Sequence, residues 1–399
     1  MKLTKYREFD SFSPQPGVRF MGYESARNKS IRVRVFFLHS LAPVVASEVS
    51  LLAFMLRTGS KNFPSRRDIA RRCEELYGCT LGVTVSRFAD AQALIGTVDF
   101  PADKFLPKGS RVMQDSLSML GEVLLYPRLG TDSLNESVFR ADIVEAQKTQ
   151  LIHDLRAIKD DKPRYAAILA SERTYKGTAG AIQEHGIEAE VEKITPEQLL
   201  KRHQIVTTSS SVVAFITGPI GTERALKTLS KYLVLPTGKR KKLPEPVVLG
   251  TLDKASRGRV KAETEQVHLI NAWSGGPVMG DKLGPAMLFA NGIFGGYSFS
   301  RLFKIVREQH GLAYSVYSTY HRARGVISAQ AAVDPERANK AAALIRSEFK
   351  RLQKDGFSNE EFQTCRETLL EGSRGAFDNP AARVSDCMFQ SVLGYRKTP

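Results

Sequence analysis

Two distant stretches of this chain run through the same order of local patterns. Around Gly78 the chain reads RRDIARRCEELYGCTLGVTVSRFADAQALIGTVDFP, and around Gly311 it reads SRLFKIVREQHGLAYSVYSTYHRARGVISAQAAVDP. In each, apolar residues three and four apart predict a helix that ends on a glycine, as a C-terminal cap does. Two alternating β-branched or aromatic strands follow, joined by a polar turn at Phe88-Ala-Asp or Arg322-Ala-Arg. Each copy then closes on Asp-Pro or Asp-Phe-Pro, 23 residues past the glycine at Pro101 and 24 at Pro335. A strand and an apolar helix precede each copy, IRVRVFFLHS and VSLLAFML in one, QVHLINAWSG and GPAMLFANGIF in the other, and a long helix follows each proline. Such a duplicated order predicts an α+β protein of two similar domains, each a mostly antiparallel sheet with helices packed on it. The first domain is expected over residues 1–220 and the second over 250–399, with a basic, proline-bounded linker over 221–249 that contains GKRKKLPEP. KITPEQLLKRHQ, opened by Thr195-Pro196, and the strand SSSVVAFITGP close the first domain. The second has no counterpart of either, so it is expected to lack its last helix and strand.

Composition narrows the class. With 42% hydrophobic and 25% charged residues the chain is an ordinary globular protein. Cys73, Cys79, Cys365 and Cys387 form no Cys-x-x-Cys pair, which argues against a disulfide framework or a structural metal. No run approaches the roughly 18 apolar residues of a membrane span, and the opening MKLTKYREFDSFSPQPG lacks the apolar core of a signal peptide. A cytoplasmic protein without membrane contact is expected. The net charge of +16 raises nucleic acid as a partner, but the strands show no platform of aromatic and basic residues, so that reading is disfavoured.

The stretches LLAFMLRTGSKNFPSRRDIARRCEELYGCTLGVTVSRF and NGIFGGYSFSRLFKIVREQHGLAYSVYS carry a resemblance to the pitrilysin and insulinase family of inverted-zincin peptidases. The chain is most similar to its small two-domain bacterial members and to the subunits of mitochondrial processing peptidase. The resemblance implies two domains facing each other across a chamber. It places the zinc motif His-x-x-Glu-His on Ser50-Leu51-Leu52-Ala53-Phe54, so Ser50, Ala53 and Phe54 stand where active members have two histidines and the general-base glutamate. A distal glutamate ligand falls near Asp154. None of the seven histidines lies four residues from another. Zinc requires three or four protein ligands, so no metal or other cofactor is expected in this chain, and alone it should be inactive.

The same resemblance gives the second domain a role. Active members use an arginine at a helix end and a tyrosine seven residues on, and those positions are Arg307 and Tyr314 here. A phenol hydroxyl can stabilise charge developing on a carbonyl oxygen, and a guanidinium fork can hold a carbonyl or carboxylate. An arginine in the last turn of a helix and a tyrosine in a strand are also ordinary on structural grounds. The implied function is that of a non-catalytic subunit of a processing-type metallopeptidase. It would pair with a zinc-bearing homologue, the zinc residing only in that partner, and act on a peptide or unfolded polypeptide. The alternative is a structural or substrate-binding member with no proteolytic role.

Overall fold

The computed structural model describes residues 4–6, 9–131, 137–243, 245–251 and 255–389. Its contacts divide the chain into two units, Met1–Leu155 with Ile182–Pro244, and Arg156–Ala181 with Glu245–Pro399. The first part of unit one comprises β1 (Thr4–Tyr6), β2 (Phe9–Phe12), β3 (Val18–Glu24), β4 (Ser30–Ser40), α1 (Pro43–Leu56), α2 (Arg66–Glu75), β5 (Thr80–Phe88), β6 (Ala91–Pro101), α3 (Val112–Leu125), the short pair β7 (Gly130–Thr131) and β8 (Ser137–Val138), and α4 (Ala141–Ala157). The chain then gives α5 (Lys162–Thr174) to the second unit. It returns to the first with α6 (Glu188–Val191), α7 (Pro196–Ser209), β9 (Ser211–Gly218) and α8 (Thr222–Tyr232).

Seven strands of unit one form a sheet in the order β1-β2-β3-β9-β4-β6-β5, antiparallel except for the parallel pair β3–β9. The alternation in β4 explains its place near the centre. Ile31, Val33, Val35 and Phe37 are fully buried on one face, the period-two pattern of a core strand. Across β4, Val33 faces Val98 of β6 and Ile216 of β9. Opposite this core, Phe36 meets Phe88 and Phe215 edge to face at 5.8 and 5.9 Å, a favoured aromatic geometry. The helix α2 opens on Ser65, whose hydroxyl accepts from the Asp68 amide at 3.2 Å. It closes through Tyr77 and Gly78, both left-handed at φ +58° and +71°. The Thr195 opening of α7 is a full capping box with Gln198.

The second unit contains α5, β10 (Val267–Trp273), α9 (Gly284–Asn291), β11 (Ala313–His321), β12 (Val326–Val333), α10 (Ala338–Asp355), α11 (Asn359–Asp378) and α12 (Pro380–Cys387). Its sheet runs β10-β12-β11, antiparallel throughout. That order reproduces β4-β6-β5, with an apolar helix after the first strand in each unit, so the repeat read from sequence is present in the topology. The expectation that the second copy lacks its last helix and strand concerns residues 390–399, which lie outside the described residues. Between α9 and β11 the backbone winds more widely, as two π-helical segments over Gly292–Gly296 and Leu302–Gln309. A Cβ on Gly292 would stand 2.6 Å from the Cys365 sulfur, so glycine lets this turn approach α11. Trp273 stacks on Phe349 at 4.0 Å and meets Phe294 edge to face, tying β10 to α10.

Two boundaries differ from the sequence reading. Residues 222–232, inside the expected linker 221–249, fold as α8, because Ala225, Leu226 and Leu229 share one face and bury it beside β3. Residues 156–181, expected in the first domain, belong to unit two, where α5 packs on β10. No helix among the described residues is long and apolar enough to cross a membrane.

Unit two is braced by Arg301, which binds Glu361 of α11 with two donors, Nε to Oε1 at 2.6 Å and Nη2 to Oε2 at 2.8 Å. Chiefly through this hydrogen bonding, the Glu361 carboxyl is pulled down to about 2 from its ordinary 4.5. A folded-state pKa below the unfolded one gives stability that is complete above the unfolded value and lost as pH falls through the folded one. Arg301→Gln should therefore destabilise the protein at neutral pH by roughly 2 kcal/mol. Urea titrations should show that deficit shrinking as pH is lowered from about 4.5 toward 2, and a deficit independent of pH would contradict the pairing.

Candidate functional site

The helix on which the zinc motif would lie, α1, is buried almost all round. Ten of its 14 residues are buried, Ser50 and Ala53 among them. Leu51 and Leu52 are fully enclosed, and Phe54 packs partly buried against the same core. The acidic side chain of this helix, Glu48, is ion-paired with Arg202 of α7 and so is committed to structure. No local pattern marks Glu48 in the sequence, and its burial is explained by that pairing, since an unpaired buried carboxylate would be costly.

The residues present do not fit zinc. Alanine and phenylalanine at positions 53 and 54 offer no donor, and the Ser50 hydroxyl is enclosed in the core without a hydrogen bond. Asp154, exposed on α4, accepts from Gln150 at 2.8 Å. Among the described residues no three His, Cys, Asp or Glu side chains are grouped to hold a metal ion.

In unit two, Arg307 lies in the last turn of the second π-helical segment. Its carbonyl accepts from the Gly311 amide at 3.1 Å. Its guanidinium is exposed and turned back over the Phe303 ring, 4.8 Å from the centroid. Tyr314 follows after the left-handed Gly311, at φ +55°. Pairing of β11 with β12 passes from Ala313↔Val333 directly to Ser315↔Ala332, so Tyr314 is the extra residue of a β-bulge. Bulges turn a side chain out of the regular alternation, and Tyr314 is 58% exposed beside an equally outward Ser315. The two residues singled out in sequence thus stand on two adjacent irregularities, a π-turn and a bulge, but no hydrogen bond joins them among the described residues.

Tyr314 has a partner that the sequence reading did not assign. Its hydroxyl donates to Asp334 Oδ1 at 2.9 Å, at the end of β12. Asp334 Oδ2 lies 3.5 Å from Arg337 Nε, and Arg337 Nη1 donates to the Gly311 carbonyl at 2.8 Å. The Asp-Pro that closes the second repeat was visible as a boundary mark; its contact with Tyr314 needs the strand pairing. Hydrogen bonding to Asp334, and then its negative charge, push the Tyr314 phenol above its ordinary pKa of 10. Replacing the carboxylate by an amide removes the charge and leaves only a weaker, neutral acceptor. In Asp334→Asn, ultraviolet titration should show one tyrosine moving back toward the ordinary range, and Tyr314→Phe should remove that transition. An unchanged titration in Asp334→Asn would mean that the contact is absent in solution.

Residues 193–369 match the model of a family described as the Peptidase M16 inactive domain. The chain is 22% identical over 370 residues to the probable inactive metalloprotease YmfF of Bacillus subtilis (strain 168), covering 90% of this chain and 83% of that protein. Among solved structures it is similar to a conserved protein from Enterococcus faecalis V583, with a TM-score of 0.87 at 21% identity, covering 98% of this chain and 91% of the other. It is also similar to a peptidase M16 inactive domain from Pseudomonas fluorescens, with a TM-score of 0.77 at 20% identity over 98% and 89% of the two chains.

Proposed function

We propose that this chain, similar over residues 193–369 to the Peptidase M16 inactive domain and over most of its length to a probable inactive metalloprotease, is a zinc-less M16-type homologue that serves as the non-catalytic subunit of a cytoplasmic processing-type metallopeptidase. In this reading it pairs with a zinc-bearing homologue and contributes Arg307 and Tyr314 to the handling of a polypeptide. The observation that carries the reading is the contrast between the two units. α1 has no metal donor at Ser50, Ala53 or Phe54, while Arg307 and Tyr314 remain exposed on a π-turn and a bulge. Tyr314 would donate a hydrogen bond to a carbonyl oxygen as charge develops there, and Arg307 would hold the chain on either side of it. The partner subunit would supply the metal chemistry.

One observation favours a second reading, a member that holds polypeptide without any proteolysis. The Tyr314 proton is already given to Asp334, so the hydroxyl must leave that carboxylate before it can serve an oxyanion. Mixing the purified chain with the zinc-bearing homologue encoded in the same genome separates the two. The first reading expects peptidase activity that neither protein shows alone. Tyr314→Phe should lower kcat of the assembled pair about a hundredfold, the size expected for one oxyanion donor. Arg307→Ala should mainly raise KM, as loss of binding present before the transition state does. Full activity in a folded, assembled Tyr314→Phe pair would leave this chain as scaffold.

A further inference from the structure

The turn between α2 and β5 brings two cysteines to one point. The Cys79 amide donates to the Cys73 carbonyl at 3.0 Å, and inside that closure the Gly78 amide donates to the Glu74 carbonyl at 3.4 Å. Two successive left-handed residues, Tyr77 and Gly78, fold the chain back on the helix end and make this closure possible. Hydrogen-bonded residues on facing strands hold their Cα atoms roughly 5.5 Å apart, and disulfides span Cα separations of about 4.4 to 6.8 Å. The backbone bond therefore holds Cys73 and Cys79 at a spacing that a disulfide bridges. Both side chains also turn to the same core, of which Cys79 is a buried member and against which Cys73 packs partly buried.

The two thiols, both free, differ in exposure. Cys73 is half-buried and open in part to water, whereas Cys79 is only 4% exposed. A small oxidant in solution thus has access to the first sulfur and little to the second. Burial first, and then the adjoining Cys73 thiol, raise the Cys79 pKa above its ordinary value. Cys79 accordingly stays protonated at neutral pH and is a poor initial nucleophile. Its sulfur reacts once its neighbour has become electrophilic.

We propose that Cys73 and Cys79 are a peroxide-responsive modification site, where a reversible disulfide staples the end of α2 to the start of β5. The Cys73 thiolate attacks one peroxide oxygen, the O–O bond breaks and hydroxide leaves, which gives a sulfenic acid at Cys73. The Cys79 sulfur then attacks the Cys73 sulfur; the S–S bond forms, and the sulfenic hydroxyl departs with the Cys79 proton as water. Two thiols lose two electrons in all, and one peroxide with the two thiol protons becomes two waters. A small dithiol reverses the bond by exchange. The staple acts on an edge, because β5 is the outer strand of its sheet and packs on α1. Nothing in this assignment depends on the reading given under Proposed function.

The test treats the reduced full chain, folded and at neutral pH, with hydrogen peroxide, then alkylates it under denaturing conditions and digests it with trypsin. No Lys or Arg lies between Arg72 and Arg87, so both cysteines fall in one peptide and its mass reports the bond directly. That peptide should lose two hydrogens and escape alkylation, and dithiothreitol given before alkylation should restore both alkyl groups. Cys365 and Cys387 should stay alkylatable throughout. In Cys73→Ser, the same treatment should leave Cys79 alkylatable, whereas in Cys79→Ser the sulfenic acid at Cys73 should persist and be trapped by dimedone. Circular dichroism checks folding, and Cys73→Ser, at a half-exposed position, keeps the order of steps testable if Cys79→Ser fails to fold. Hydrogen exchange should slow across residues 73–80 on oxidation. Two alkyl groups on the peptide at a peroxide dose that fully oxidises glutathione, or a bridge from Cys73 to Cys365, Cys387 or a second molecule, would overturn the site. Oxidation of Cys79 in Cys73→Ser as fast as in the parent chain would overturn the assigned roles of the two thiols.

Discussion

Burial of α1 is the constraint from which much of unit one follows. The helix packs against β5, β6, α6 and α7 and leaves little of its surface to water. A helix enclosed in this way can carry an ionisable group only if a partner is built for it. Glu48 has such a partner in Arg202; the remaining positions are filled by Val49, Leu51, Leu52, Met55 and Leu56, whose packing maintains the fold. A metal motif needs polar side chains facing a shared, hydrated point, and the apolar side chains around positions 50 to 54 now provide core contacts instead. The energetic gain is ordinary side-chain burial, of about 1.5 to 3 kcal/mol for each large apolar residue. Histidine or glutamate restored at these positions would have to displace those contacts.

Local patterns carried the repeat because each of its parts has a local cause. Alternation fixed the faces of β4 and β6, glycine ended α2 and the turn before β11, and Ser65 and Thr195 marked helix starts. Features that depend on distant partners were not legible. Nothing in KPRYAAILASERT says that α5 packs on β10, a strand more than ninety residues further along the chain, and so belongs to unit two. The string AYSVYSTYH alternates well enough to hide a bulge at Tyr314, since the extra residue is revealed only by register against β12. The amphipathic face of α8 is present in the sequence, but it is short and runs directly into the basic, proline-bounded GKRKKLPEP, whose composition is that of a linker.

The surroundings of the candidate residues were legible only in part. The resemblance singles out Arg307 and Tyr314 as candidates by position, and it lays the metal motif on Ser50, Ala53 and Phe54, whose side chains are poor metal donors. It could not show that Tyr314 shares its proton with Asp334, because those residues meet only across a strand pair and its following turn. Nor could it show Arg57 lying over Phe54, since that position reads simply as the polar end of a helix. Both are interactions of charge and hydrogen bonding layered on a backbone that apolar patterning specifies.

The excursion of the chain through α5 has a consequence for synthesis. Emerging from the ribosome, the polypeptide presents α5 before β9, the strand that sits between β3 and β4 and makes the sheet of unit one continuous. It presents α5 well before β10, on which that helix packs. Unit one therefore cannot be completed as a single uninterrupted stretch, and α5 must wait, unpacked, while β9 and α8 fold behind it. Vectorial synthesis thus couples the maturation of the two units in time, and a nascent chain paused between residues 218 and 267 would hold a finished sheet together with a helix still lacking its own.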